Sequence, residues 1–156
     1  MDPKVVLVPL DGSRLAEGAL APAIGFGREG AKLVLLCAVE THGTPFVDPA
    51  DAQVAVIEEA ETYLAGDALR VRAAGATDVE TSVWYGPPVE SIADAAHFRK
   101  ADLIVMSTHG RSGLGRLILG SVAESVLRAT STPILLLRPE APDWVKGESA
   151  REAARV

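Results

Sequence analysis

Short apolar runs alternate along the chain with longer segments that carry helical signals. Most of these runs are apolar at nearly every position, which is typical of strands buried on both faces of a parallel sheet. One run instead alternates through Val79, Thr81 and Val83, and we therefore expect it near an edge of the sheet. The five predicted strands cover residues 4–10, 32–39, 77–84, 101–107 and 133–138.

The segments between the strands carry start and stop signals for helices. Ser13 can cap a helix that extends towards Arg28, although Gly18 and Pro22 predict a late start or a bend. Further helices are predicted over 50–74, 89–98 and 122–129. The longest has apolar positions that step by three or four and form one buried stripe: Val54, Ile57, Ala60, Leu64, Ala68 and Val71.

Alternation of strands and helices within one chain predicts an open sheet with right-handed crossovers. We expect an α/β fold, namely an open, twisted, five-stranded parallel sheet with helices on both faces, of the Rossmann-like kind. The length of 156 residues suits one domain. Residues 1–139 are expected to form it, and residues 140–156, rich in Glu, Ala and Arg, are expected to form a flexible tail.

Charge and hydropathy narrow the classes of partner. The net charge of −6, with no cluster of Lys and Arg, argues against nucleic acid. No apolar window approaches the ~20 residues that span a bilayer, and the N-terminus lacks a secretory pattern. We therefore expect a cytoplasmic protein without membrane contact. Cys37, the single cysteine, lies in an apolar run and is interpreted as a buried core thiol.

The loop after the fourth strand carries the clearest chemical signal. Ligands of open parallel sheets bind at the carboxyl ends of the strands. Here Gly110 follows such an end, and after nine further residues comes Gly120-Ser121, directly before the last predicted helix. Glycines let backbone N–H groups approach a phosphate, and a helix N-terminus attracts negative charge. The loop, with Arg111 and Arg116 as possible cations, is suited to an oligophosphate.

The same residues also have structural interpretations. Ser121 and Glu124 have the spacing of a capping box, which alone would account for the serine. Gly113 and Gly115 are compatible with a simple turn. The Walker A pattern and a Gly-x-Gly-x-x-Gly motif after the first strand are both absent, which argues against P-loop NTPases and NAD-dependent dehydrogenases.

Over residues 4–138 the sequence resembles the universal stress protein family. ATP-binding members of that family carry Gly, two residues, Gly, nine residues, Gly, and then Ser or Thr. The matching string here runs from Ser107 through Gly110 to Gly120-Ser121, with Ser107 in place of the first glycine. The opening Val-Pro-Leu-Asp-Gly-Ser at 8–13 and the segments 120–124 and 133–136 are also similar to the family.

The resemblance implies an adenine-nucleotide site, with ATP as the expected ligand and Mg²⁺ bridging its phosphates as an option. It places Asp11 at the adenine or ribose, although Asp11 also suits a turn. His109 is expected to order the loop rather than to act as a base. The residues implied to bind the nucleotide are Pro9, Asp11, Ala38, Met106, Ser107, His109, Gly110, Gly120, Ser121 and Val122.

The resemblance also implies a homodimer formed through the last strand. Residues 133–137 are more apolar than a solvated edge strand tolerates, so pairing across a two-fold axis would cover them. The alternative is that helices of the same chain cover this strand.

The expected function is therefore that of an ATP-binding stress-response or regulatory protein with slow or no hydrolysis. Two alternatives stay open at the level of sequence: a weak ATP hydrolase, and a dimeric interaction module with a degenerate pocket. No pair of carboxylates near the glycine-rich loop points to efficient catalysis, and we name no catalytic residue or protein metal ligand.

Overall fold

The computed structural model describes residues 1–43, 45–108 and 119–138. Strands and helices alternate along these residues, as the hydrophobic pattern predicts. The elements are β1 (Val5–Leu10), α1 (Arg14–Glu17), α2 (Leu20–Arg28), β2 (Lys32–Val39), α3 (Pro49–Ala73), β3 (Val79–Tyr85), α4 (Pro88–Phe98), β4 (Leu103–Ser107), α5 (Ser121–Ala129) and β5 (Ile134–Leu137).

The strands form one five-stranded parallel sheet in the order β3-β2-β1-β4-β5. This confirms the predicted fold class and the predicted edge position of β3. The chain first winds outward from β1 to β3, then returns to the other side of β1 and continues to β5. The winding direction therefore reverses between β1 and β4, and their carboxyl ends border a crevice there.

Helices cover both faces of the sheet, and alternate strand residues point to opposite faces. On one face Val6, Val8 and Leu35 pack with residues of α1, α2 and α3. On the other face Leu7 and Leu36 pack with residues of α4 and α5. These strand residues are fully buried. The near-continuous apolar runs are therefore explained by burial of the strands on both faces of the sheet, as predicted.

The predicted helix after Ser13 is broken in two. Ser13 caps α1 as expected, because its hydroxyl accepts a hydrogen bond from the Ala16 N–H at 3.2 Å. The helix then ends at Gly18, and α2 begins at Leu20. Pro22 consequently falls in the first turn of α2, where a missing N–H leaves no helical carbonyl unpaired.

The buried stripe of α3 is shorter than predicted. Ala60, Leu64, Ala68 and Val71 are buried, but Val54 is 54% exposed. No residue from 49 to 59 is buried, so packing of the helix against the sheet begins only after its third turn. The expectation was therefore wrong for Val54, and Ile57 is only partly buried, because a regular apolar spacing does not show where along a helix the core stops.

Within the described residues, no helix is long and apolar enough to cross a membrane. The predicted tail, 140–156, lies outside the described residues.

Two glycines of α2 provide a matched test of the packing between this helix and the sheet. A methyl group at Gly27 would lie 2.7 Å from the Ala76 Cβ and 2.9 Å from the Leu33 Cδ1, whereas one at Gly25 would meet nothing within 4 Å. Gly27→Ala should lower the free energy of unfolding by about 1–3 kcal/mol through overpacking. Gly25→Ala should raise it by up to about 1 kcal/mol. Urea titration measures both, and equal effects of the two variants would contradict the packing described.

Candidate functional site

A cavity of about 860 Å³ lies at the carboxyl ends of β1, β2 and β4. Its position is the point where the winding of the sheet reverses, which is where open parallel sheets bind ligands. The start of α5 closes one end, and α3 and α4 contribute to the walls. The volume lies within the ~300–1,000 Å³ of typical small-molecule sites.

The structure brings together the predicted site residues that it describes. They come from four separate segments of the chain, at the ends of β1, β2 and β4 and at the start of α5. The residues in the cavity wall are Pro9, Asp11, Ala38, Met106, Ser107, Gly120, Ser121 and Val122. His109 and Gly110, which the sequence analysis also assigned to the site, lie outside the described residues.

Asp11 shapes the turn that leaves β1 and also lines the cavity. Its Oδ1 accepts a hydrogen bond from the Ser13 N–H at 2.9 Å, and Gly12 between them has a φ of 83°. A side chain at Gly12 would be strained in this left-handed conformation. Both interpretations of Asp11, as a turn-former and as a cavity residue, are therefore compatible with its position.

Two backbone hydrogen bonds fix the start of α5 against the end of β4. The Thr108 N–H donates to the Leu137 carbonyl at 2.8 Å, and the Gly120 N–H donates to the Thr108 carbonyl at 2.8 Å. Thr108 thus links the fourth strand, the fifth strand and the last helix. The N–H of Gly120 is already bonded here, so what this residue offers to a ligand is the absence of a side chain.

The first turn of α5 has N–H groups that precede the helical ladder. The ladder begins where the Glu124 N–H donates to the Gly120 carbonyl at 3.0 Å. The N–H groups of Ser121, Val122 and Ala123 come before it, and all three residues line the cavity. Together with the helix dipole they form an end of the cavity that favours an anion.

The capping box expected at Ser121 is wrong. Gly120 is the N-cap residue, with φ −59° and ψ 150°, and Ser121 is the first residue of the helix. Glu124 pairs instead with Arg128 at 2.8 Å on the exposed surface. The structural explanation for Ser121 is therefore removed, and its exposed side chain stands at the anion-favouring end of the cavity.

Sequence reasoning missed the wall that α3 contributes. Val56, Glu59, Ala60 and Tyr63 line the cavity at the i, i+3, i+4, i+7 spacing of one helix face. This face lies beside the stripe that packs on the sheet, and the two share only Ala60. The spacing of these four residues was the signal available in the sequence. It was passed over because the apolar stripe that packs on the sheet already explained the pattern of the helix. Pro88 and Ile92 of α4 also line the cavity without having been predicted.

The charges around the cavity are unevenly distributed. Among the described lining residues, Asp11, Glu40 and Glu59 carry carboxylates, and there is no Lys or Arg. In that described set, positive potential comes from the start of α5, on the β4 side, while Glu40 and Glu59 lie on the β2 and α3 side. Over the part of the chain that the structure covers, no three His, Cys, Asp or Glu side chains form a group that could hold a metal ion.

Cys37 is buried at the end of β2, as predicted, and it also lines the cavity. His42, exposed on the loop after β2, lines the cavity as well, whereas His97 is exposed on α4 and does not. Trp84 packs edge-to-face against Phe98, with ring centroids 6.2 Å apart.

The fold and the cavity define an open parallel α/β domain with a cavity at its switch point, and comparison with known proteins identifies the family. The family model described as "Universal stress protein family" matches residues 3–138. A universal stress protein of Methanocaldococcus jannaschii is 33% identical over 141 residues, which cover 86% of this chain and 82% of that protein. The chain belongs to the universal stress protein family.

Solved structures agree with this assignment. That of the hypothetical protein MJ0577 has a TM-score of 0.80 and 26% identity, covering 90% of this chain and 99% of the other. A universal stress protein crystallised in complex with cAMP has a TM-score of 0.65 and 29% identity, covering 90% of this chain and 100% of the other.

The two serines at helix starts give a direct check of their different roles. Ser13→Ala removes a side-chain cap and should lower the free energy of unfolding by about 0.5–2 kcal/mol. Ser121→Ala removes no cap and should change it by less than about 0.5 kcal/mol. Thermal or urea unfolding without ligand measures both. A loss at Ser121 as large as that at Ser13 would restore the capping interpretation.

Proposed function

We propose that this member of the universal stress protein family binds an adenine nucleotide, with ATP as the expected ligand, and acts as a regulatory stress-response protein with slow or no hydrolysis. One observation carries the proposal: a single cavity joins an apolar wall to a helix N-terminus. A nucleotide needs both, since its base is flat and largely apolar and its phosphates are anionic.

The nucleoside would occupy the part of the cavity near β1 and β2. Pro9, Ala38 and Met106 offer apolar surface there, and Val56 of α3 faces the same space. The Asp11 carboxylate can accept hydrogen bonds from base or ribose donors. The phosphates would extend towards β4, where the N–H groups of 121–123 lead into the cavity. The structural relative in complex with cAMP supports an adenine nucleotide as the class of ligand.

A divalent cation such as Mg²⁺ is compatible with this arrangement. The described residues provide no cluster of carboxylates for it. Mg²⁺ commonly keeps several waters and is held by phosphate oxygens, so the nucleotide itself would supply most of its ligands. The residues of this chain would bind and orient the nucleotide around the ion.

The two alternatives are less well supported. A hydrolase needs a group that activates water, and neither the sequence nor the described geometry assigns one. A degenerate pocket was suggested by Ser107 in place of glycine. Ser107 is only 7% exposed, and the cavity of about 860 Å³ stays open beside its small side chain. The serine therefore leaves room for a ligand.

We also propose the homodimer through β5. This strand is at one edge of the sheet, and all four of its residues are only partly buried. The Pro133 and Leu137 carbonyls accept hydrogen bonds from the β4 side, so the backbone groups of Ile134 and Leu136 point outward by alternation. An apolar edge whose outward backbone groups have no strand partner among the described residues is suited to pairing with a second copy. Cytoplasmic location stays a prediction.

Nucleotide binding is tested first with the natively purified protein. Nucleotide released on denaturation is identified by chromatography, and the stripped protein is titrated calorimetrically with ATP. Gly120→Val should weaken binding at least about tenfold, because a branched side chain would stand beside the N–H groups that face the phosphates. Its φ and ψ are accessible to other residues, so the fold should persist.

Gly25→Val is the matched control, because Gly25 is exposed on α2 and a Cβ there meets nothing within 4 Å. It should bind ATP as the parent does. Binding by Gly120→Val at parental affinity would mean that the phosphate site is wrongly placed. Absence of released nucleotide, of binding heat and of thermal stabilisation by ATP would favour the interaction module.

The dimer is tested by sedimentation of variants in the two edge strands. Leu136→Pro removes an outward N–H from β5. The monomer should still fold, because proline is tolerated where the N–H faces away from the sheet. The variant should shift from dimer to monomer, because the second copy would need this N–H for pairing. Thr81→Pro makes the same change on the opposite edge, in β3, and should leave the dimer intact. A monomeric parent, or a Leu136→Pro dimer as tight as the parental one, would contradict the proposed interface.

A further inference from the structure

Tyr63 lies between the nucleotide cavity and a second cavity. The second cavity, of about 560 Å³, opens between α1 and α3. Only Tyr63 and Gly12 line both cavities among the described residues. Tyr63 is partly buried and contributes to the walls of both cavities, and its hydroxyl bonds to Glu17, which lines the second cavity.

The hydroxyl of Tyr63 joins α3 to α1. It donates a hydrogen bond to the Glu17 Oε1 at 3.1 Å. The other carboxylate oxygen of Glu17 lies 3.5 Å from the Arg70 Nη2, and this guanidinium also pairs with Asp67 Oδ1. Asp67 is 1% exposed, and its Oδ2 has no hydrogen-bond partner among the described residues. The Arg70 guanidinium thus pairs with two carboxylates, and the Tyr63 hydroxyl donates to the other carboxylate oxygen of Glu17.

The surroundings of the Tyr63 hydroxyl favour its protonated form. Burial, followed by the nearby negative charges of Asp67 and Glu17, raises the pKa of Tyr63 far above its usual value. In this form the hydroxyl donates its hydrogen bond to Glu17 of α1. Arg14, which also lines the second cavity, and Arg70 are the cations that face this group.

Helix α1 depends on such contacts because it is only four residues long. A single helical turn is unstable by itself, so tertiary contacts must hold it. Its own bonds, from the Glu17 N–H to the Ser13 carbonyl and from the Ala16 N–H to the Ser13 hydroxyl, lead directly back into the turn at Asp11. Whatever fixes Glu17 therefore also fixes the turn that lines the nucleotide cavity.

We propose that Tyr63 is a positioning residue for nucleotide binding: its ring forms a wall of the cavity, and its hydroxyl, through Glu17, holds α1 and the Asp11–Gly12–Ser13 turn in the binding geometry. The role in nucleotide affinity rests on the proposed function. The hydrogen bond from Tyr63 to Glu17, called the tether below, is present in the protein without ligand. The tether and its effect on nucleotide affinity can therefore be tested separately.

The first measurement is the affinity for ATP. Tyr63→Phe keeps the ring and removes only the tether, and it should weaken binding about two- to tenfold, which is the value of one net hydrogen bond. Tyr85→Phe is the matched control: it removes a hydroxyl that bonds to the Thr41 Oγ1 at 2.7 Å, and neither residue lines the cavity. This variant should bind like the parent.

Variants of Glu17 separate positioning from a general loss of structure. Glu17→Gln retains an oxygen that accepts from Tyr63 and should keep nearly parental affinity, whereas Glu17→Ala should lose as much as Tyr63→Phe. The double variant Tyr63→Phe, Glu17→Ala should be no weaker than either single variant. Additive losses, or parental affinity in Tyr63→Phe, would overturn the proposal.

The second measurement is hydrogen exchange of the ligand-free protein. The amides of Ala16 and Glu17 should exchange about two- to tenfold faster in Tyr63→Phe than in the parent or in Tyr85→Phe. Unchanged exchange would overturn the tether. If the parent binds neither ATP nor AMP, the proposed function fails, and with it the role of Tyr63 in affinity, while faster exchange would still support the tether of the turn.

Discussion

The pairing of β1 with β2 on one side and with β4 on the other is the constraint on which the rest of the structure depends. It makes β1 the centre of the sheet and places the reversal of winding beside it. Val6, Leu7 and Val8 are completely buried, so the register of this strand is fixed by packing on both faces. The turn that follows β1 then leaves the sheet at the crevice, and the ends of β2 and β4 flank it.

The site is built from backbone geometry more than from charged side chains. The Thr108 carbonyl holds the Gly120 N–H, and this bond sets the start of α5 against the end of β4. The helix then presents its first N–H groups to the cavity. On the opposite side, α3 overhangs the sheet and supplies a wall with Val56, Glu59 and Tyr63. An anion is favoured near α5 and a neutral, donor-rich group near the carboxylates, so the proposed nucleotide would have one preferred direction in the cavity.

Much of the fold could be predicted because it rests on local patterns. The bounds of β2 agree residue for residue, and α3 and α4 begin one residue before the predicted positions. Predictions were wrong where the same local sequence pattern is compatible with more than one tertiary arrangement. The spacing of Ser121 and Glu124 permits a cap, but the Gly120–Thr108 bond places Ser121 inside the helix. The stripe of α3 has the right period, yet only packing decides that Val54 lies beyond the core.

The residues of the candidate site could be named from motifs because they follow strand ends in order along the chain. Glu59 and Tyr63 could not: their spacing shows that they share a face of α3, but nothing local distinguishes a helix face that lines a cavity from one that meets solvent. The Tyr63–Glu17 contact joins residues 46 positions apart and depends on how α1 and α3 come together. Contacts of this kind follow from the assembled fold, and they are where the structure adds most to the sequence.

A nucleotide in this cavity would have its phosphates at the start of α5, and amide chemical-shift changes during a titration of the isotope-labelled protein with ATP would show this. We expect the largest changes at Ser121, Val122 and Ala123 and in the turn at Asp11, with little change along β3. Changes confined to another surface, or none at saturating ATP, would contradict this placement.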